Sequence, residues 1–366
     1  MTDDRRPLIA LAAALAVALA WSNSPWWRAY EHAAVRPAVN DGLMTVFFFV
    51  VGLEMKRELT VGRLSTRRQA MLPAFAAVTG MAVPALVYAA VVGRAGPGSR
   101  GWGVPMATDI AFAVGALAVL GPRRVPAGVR AFVLALAVAD DILTVVVLAF
   151  MGGHHVHPGW LLAAAGGLGA VVAMRAAGVR WPPAYIPAGV AVWAGMWAAG
   201  VEPALAGVAL AVMTPVEVVP RLEDAVSPWD SLVVLPVFVA LNAGVHLHAG
   251  LLRPPGAARV AAGVLAARVV GKLVGITAGA WVGVRLRLGH LPEGAGWQHL
   301  AGAAAMGGVG FTVPLLFAQA TLPPALRAAA TTALLAGSAL GFLVGSAWLA
   351  WPRRQKAPPT ARPAPS

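Results

Sequence analysis

Apolar residues run along this chain in long continuous blocks, without the alternation of a half-exposed strand. Blocks bounded by Pro, Gly or Arg clusters cover 7–22, 42–55, 71–92, 103–120, 126–150, 159–174, 181–199, 203–217, 229–249, 258–281, 298–320 and 324–350. A helix that crosses a bilayer needs about 20 mainly apolar residues. The pattern therefore predicts an all-α polytopic membrane protein of about 12 transmembrane helices. Strands of a membrane barrel alternate apolar with polar, which these runs do not. Residues 1–351 form one predicted membrane domain, and 352–366, rich in Pro and Ala, read as a disordered tail.

Composition agrees with that picture. Hydrophobic residues make up 59% and charged residues 12%, against roughly 45–50% and about 25% in soluble chains. There is no Cys, which removes disulfides, thiolate metal sites and cysteine nucleophiles. The net charge of +13 would suggest nucleic acid in a soluble protein; here it is expected in loops, and no nucleic-acid partner is expected. Lys56, Arg57, Arg63, Arg67, Arg68, Arg123, Arg124, Arg130 and Arg175 all fall in segments on one side. The other side holds fewer, such as Arg28, Arg36, Arg94 and Arg100. By the positive-inside rule this puts both termini in the cytoplasm. The first run, after Arg5 and Arg6, reads as an uncleaved helix in preference to a cleaved signal.

Most of the 15 acids, Glu217, Asp224, Asp230 and Glu293 among them, read as surface charges in or beside loops. Three do not. Asp109 falls in the fourth span, and the adjacent Asp140 and Asp141 fall midway along the fifth. A carboxylate at that depth costs roughly 2.5–3.5 kcal/mol on insertion scales and marks an ion pathway more often than a structural pair. Two neighbouring carboxylates favour a site that holds either protons or a small hard cation. Lys272, mid-span in the tenth block, is the candidate counter-charge; Arg268, one turn earlier, reads as a side chain that can snorkel to the interface. The fourth span carries Gly103 and Pro105, and the eleventh carries Gly307-Gly308-Val309-Gly310 and Pro314. Both are expected to be broken helices, and secondary transporters place ion sites where such helices meet. His154, His155 and His157 form a weak candidate metal cluster in a loop.

These residues resemble the NhaA family of Na+/H+ antiporters. The motifs are Asn40-Asp41-Gly42-Leu43-Met44, Val51-Gly52-Leu53-Glu54-Met55-Lys56-Arg57-Glu58-Leu59 and Ala107-Thr108-Asp109-Ile110-Ala111-Phe112. They continue through Asp140-Asp141, Asn242-Ala243-Gly244-Val245, Gly271-Lys272, His290-Leu291-Pro292-Glu293-Gly294 and Gly308-Val309-Gly310-Phe311-Thr312, in family order from about residue 40 onward. That family is itself a standard example of inverted repeats, so its fit to that arrangement is no independent derivation.

The resemblance implies an electrogenic exchanger of the bacterial inner membrane, exporting Na+ or Li+ for more than one H+ by alternating access and serving pH and sodium homeostasis. It implies no cofactor and no enzyme activity. Asp141 would be the principal ion- and proton-binding carboxylate and Asp140 its partner, the two serving as ligands of the transported Na+. Thr108, Asp109 and Lys272 would support the site. Glu54, Glu58 and Glu223 would belong to an entry funnel and pH response. Spans three to five and ten to twelve would be inverted repeats.

Two departures stand out. Glu202 occupies a segment where many family members carry His. Residues 23–39 are shorter than the family's β-hairpin segment, which serves a homodimer contact. From the residues themselves, a symporter for an organic anion, an intramembrane aspartyl protease and a channel are the competing classes. The core has few polar groups for an organic substrate, and the protease's Gly-x-Gly-Asp pattern is absent.

Overall fold

The computed structural model describes residues 6–62, 64–109, 117, 120, 121, 124–151, 156–179, 181–292 and 294–350. Among the described residues all regular structure is helical. In chain order the principal helices are α1 (Arg6–Ser22), α2 (Met44–Thr60), α3 (Arg67–Val92), α4 (Ala127–Met151), α5 (Pro158–Ala176), α6 (Ile186–Ala199) and α7 (Leu205–Met213). They continue as α8 (Val219–Trp229), α9 (Leu235–Asn242), α10 (Ala257–Ala266), α11 (Lys272–Arg285), α12 (Trp297–Met306), α13 (Thr312–Thr321) and α14 (Pro324–Ala350). Three π-helical turns, Val39–Leu43, Asp230–Val234 and Ala267–Gly271, lead into α2, α9 and α11. The turns join α8 to α9 and α10 to α11 without a loop. Among the described residues seven stretches are long and apolar enough to cross a membrane, the longest being Ala257–Arg285.

The eleventh span is interrupted as expected: α12 stops at Met306 and α13 starts at Thr312, where the glycine run and Pro314 fall. Two other spans differ in detail. The fourth does not begin as a helix at residue 103. Ser99–Gly103 is a 3-10 turn and 107–109 are not helical; residues 110–116 lie outside the described set. The ninth was expected over 229–249 but runs from Val219 to Asn242. Pro220 suits the first turn of a helix, and the polar residues that follow it face a cavity, so mean hydropathy hid the start. At the other end Asn242 Nδ2 donates to Asn40 Oδ1 at 2.7 Å, and Tyr30 Oη accepts from Gly244 N–H at 2.8 Å. Segment 23–39 forms short helical turns, Trp27–Glu31 and Arg36–Ala38, with no strand among its residues.

Lipid cannot drive helices together by the hydrophobic effect, so close approach of small residues does. A Cβ on Gly207 of α7 would strike the Thr45 carbonyl of α2, and one on Gly52 would lie 2.6 Å from Ala211 Cβ. In α11, Gly275 faces the Thr79 carbonyl of α3 in the same way. Large apolar side chains are left outside: Phe150 is 85% and Leu162 75% exposed. A water-soluble surface would bury such groups, whereas a lipid-facing one presents them. Thr108, Asp109, Asp140, Lys272, Arg268 and Thr312 are buried polar or charged residues that meet where α4, α11 and the two non-helical stretches come together.

Candidate ion-binding site

A broken helix leaves carbonyl and amide groups without intrahelical partners, and in a membrane water cannot satisfy them. Here the two breaks satisfy each other. Asp109 N–H donates to Val309 O at 3.1 Å, and Thr108 Oγ1 donates to Gly307 O at 3.0 Å. The Arg268 guanidinium, fully buried, closes the crossing. Its Nε donates to Gly308 O at 3.0 Å, Nη1 to Ala107 O at 3.3 Å and Nη2 to Gly310 O at 3.2 Å. Ser338 Oγ also takes the Gly310 N–H, at 3.2 Å. Arg268 therefore does not snorkel. Five donors in a rigid fork suit a cluster of carbonyls that Lys could not span, and a cation there offsets the negative end of α12.

Asp140 and Asp141 are consecutive on α4 and so point about 100° apart. Asp140 turns toward α11 and the crossing. Lys272 Nζ lies 3.2 Å from Asp140 Oδ2 and 3.4 Å from Oδ1, and Thr108 N–H donates to Oδ2 at 2.8 Å. Both members of the pair are 1% exposed. Asp141 turns the other way. Among the described residues it has no hydrogen bond or ion pair, and it lines a cavity of about 700 Å³. Thr108, Asp109 and Thr312 share that wall, and Thr312 Oγ1 donates to Asp109 Oδ2 at 3.1 Å.

The cavity wall also includes Glu54 of α2 and Glu223, Asp224 and Ser227 of α8, with Arg6 of α1. Arg57 Nε meets Glu223 Oε2 at 3.1 Å, and Arg57 Nη2 is 3.9 Å from Glu58 Oε1. So Glu54 and Glu223 share a wall with Asp141, while Glu58 is held by Arg57 beside it. Asp230 corrects the expectation of a surface charge: it is 6% exposed and lines the same cavity. It lies where α8, formed over residues expected to be a loop, runs on through a π turn into α9.

Reading the residues alone missed Asp230 and Thr312 and misjudged Arg268. Arg268 carried one usable signal, since it lies four residues before Lys272 and so on the same helix face. Among the described residues no group of three His or acid side chains could hold a metal; His154 and His155 lie outside that set, as does Glu293.

Glu202 stands apart from the cavity, between α6 and α7. Burial and the nearby Asp41 carboxylate push its carboxyl up to about 7, against the opposing Ala204 N–H. Asp41 lies in the helical stretch Arg36–Thr60, which carries Glu54 thirteen residues later, roughly 20 Å along the axis. Trp193 Nε1 donates to the Asp41 carbonyl at 3.0 Å.

Helices long and apolar enough to cross a membrane, two non-helical stretches that hydrogen-bond to each other, and a buried carboxylate with no partner among the described residues on the wall of a cavity are the features of a polytopic ion transporter. The chain matches the Na+/H+ antiporter 1 family model over residues 2–349. It is 43% identical to the Na(+)/H(+) antiporter NhaA of Acidovorax sp. (strain JS42), covering 95% of this chain and 90% of that protein. It is 38% identical to the NhaA of Rhodospirillum rubrum, covering 95% of each. Sorangium cellulosum has a relative named Na(+)/H(+) antiporter NhaA 2, 38% identical over 93% of this chain and 86% of its own length. The chain belongs to the NhaA family of Na+/H+ antiporters.

Proposed function

We propose that this chain exchanges Na+, or Li+, for more than one H+ across the bacterial cytoplasmic membrane, by alternating access and electrogenically. Both termini lie in the cytoplasm, the chain crosses the membrane about twelve times, and spans three to five and ten to twelve repeat in inverted orientation. Asp141 is the carboxylate that takes Na+ and H+ in turn. Asp140, with Lys272, supplies a second ionisable unit whose ion pair can open when the cation draws on Asp140. Thr108 and Asp109 shape the site, and Glu54 and Glu223 line the inner approach, with Glu58 behind them.

The division of labour between Asp140 and Asp141 supports this reading most strongly. One carboxylate is neutralised by a buried lysine, and its neighbour faces a cavity with no protein partner among the described residues. A structural ion pair needs only the first; a passive channel needs neither. An unpaired carboxylate at that depth must carry either a proton or a cation, and that choice is what exchange requires.

The test uses proteoliposomes with an imposed pH gradient and a dye for internal pH. Addition of Na+ or Li+ is expected to move protons, and K+ is expected not to. No response to any of the three, with the protein inserted and folded, would overturn the proposal.

A further inference from the structure

Asp230 is a carboxylate for which the exchange scheme above has no use. It occupies the first position of the π turn that joins α8 to α9. Such turns often accompany functional sites. Its side chain lines the cavity that Asp141 also lines, yet it is 6% exposed, and its Oδ1 has no hydrogen-bond partner among the described residues. Arg57, the cation of the neighbouring wall, is paired with Glu223.

A buried carboxylate with an orphaned oxygen is costly unless something neutralises it. Asp230 caps no helix, because helical backbone precedes and follows it, so a structural role does not account for it. Whatever neutralises it, a proton or a cation, must reach it through the cavity. Its surroundings suit a hard cation. Glu223, Ser227 and Asp230 fall at i, i+4 and i+7 of one helical face, and all three line the cavity. That face presents oxygen ligands over about 10 Å of rise.

We propose that Asp230 is a second cation site, at which a partly hydrated Na+ or Li+ stops between the Glu223 end of the cavity and Asp141. The inference rests on the exchange reading given above. A carboxylate on the wall of a low-dielectric cleft raises the local cation concentration. Asp230 would thus set the apparent affinity for the cation, whereas Asp141 sets whether exchange occurs at all.

The test reconstitutes full-length Asp230→Asn and Asp230→Glu proteins and measures proton movement against Na+ concentration. Asp230→Asn is expected to raise the KM for Na+ about tenfold, with a smaller effect on maximal rate, and Asp230→Glu to restore the KM. In detergent without Na+ or Li+, Asp230→Asn is expected to melt above wild type, because an uncompensated charge has been removed. An unmoved KM, a lower maximal rate at unchanged KM, or an Asp230→Asn protein that folds less well than wild type would each overturn the inference. Wild-type exchange beside an unmoved variant KM would sink this inference alone; a wild-type protein that moves no protons with Na+ would sink the exchange reading and this inference with it.

Discussion

The crossing of the two chain breaks and the wall of the cavity lie side by side and treat charge in opposite ways. At the crossing, Arg268 spans three carbonyls, and Lys272 and the Thr108 amide share Asp140. On the cavity wall, Asp141 and Asp230 Oδ1 have no protein partner among the described residues. Buried charges that are fully paired hold a structure in one arrangement, though they add little net stability over apolar packing. Buried charges left open are available to a mobile ion. The two adjacent aspartates differ in surroundings because a helix turns by about 100° per residue.

The largest expected effect separates these roles. Asp141→Asn should cut Na+-driven proton movement by at least about two orders of magnitude while leaving the melting temperature at or above that of wild type. A fully active Asp141→Asn protein would erase the distinction between the two regions. Lys272→Ala should do the reverse to stability. It strands Asp140 without its cation and should lower stability by about 3–5 kcal/mol, read as a fall in melting temperature. Adding Asp140→Asn to Lys272→Ala should recover most of that loss; no recovery would show that the lysine acts through packing alone.

A smaller effect is expected at Glu202. Its carboxyl is raised to about 7 from an ordinary 4.5, so the folded protein holds a proton that the unfolded chain has released. Stability therefore falls as pH rises from about 4.5 to about 7 and is flat above. Glu202→Gln should be more stable than wild type above pH 7, by on the order of 1–3 kcal/mol, and equal to it below about pH 4.5. Melting curves across that range check the sign. The smallest effect belongs to the Arg57–Glu223 pair. Arg57 is 41% exposed, and Arg57→Gln should change stability by less than about 1 kcal/mol. A larger loss would place that pair with the crossing instead of with the cavity rim.

Much of this organisation was legible in the residues. Continuous apolar blocks mark helices because lipid demands them, and an acid inside such a block is conspicuous. Asp109, Asp140, Asp141 and Lys272 stood out for that reason. Asp230 did not, since it falls at the very start of the expected span 229–249, beside the polar stretch that ends in Ser227-Pro228. Pro228 lies inside α8, and only the folded helix pair shows that α8 continues through a π turn. Arg268 was misjudged because its partners come from Gly308, 40 residues away, and Ala107, 161 residues away. Local pattern cannot report bonds of that separation. The start of the ninth span was missed because a helix that lines a cavity is amphipathic, and hydropathy averages over its two faces.

The most direct test concerns competition for one carboxylate. Purified protein in a weakly buffered detergent solution near neutral pH is titrated with NaCl, and the protons released are measured against the Na+ bound. The expected result is proton release by wild type that saturates with Na+ binding, and none by Asp141→Asn. Sodium binding with no proton release, or undiminished release from Asp141→Asn, would contradict the assignment of Asp141 as the shared site.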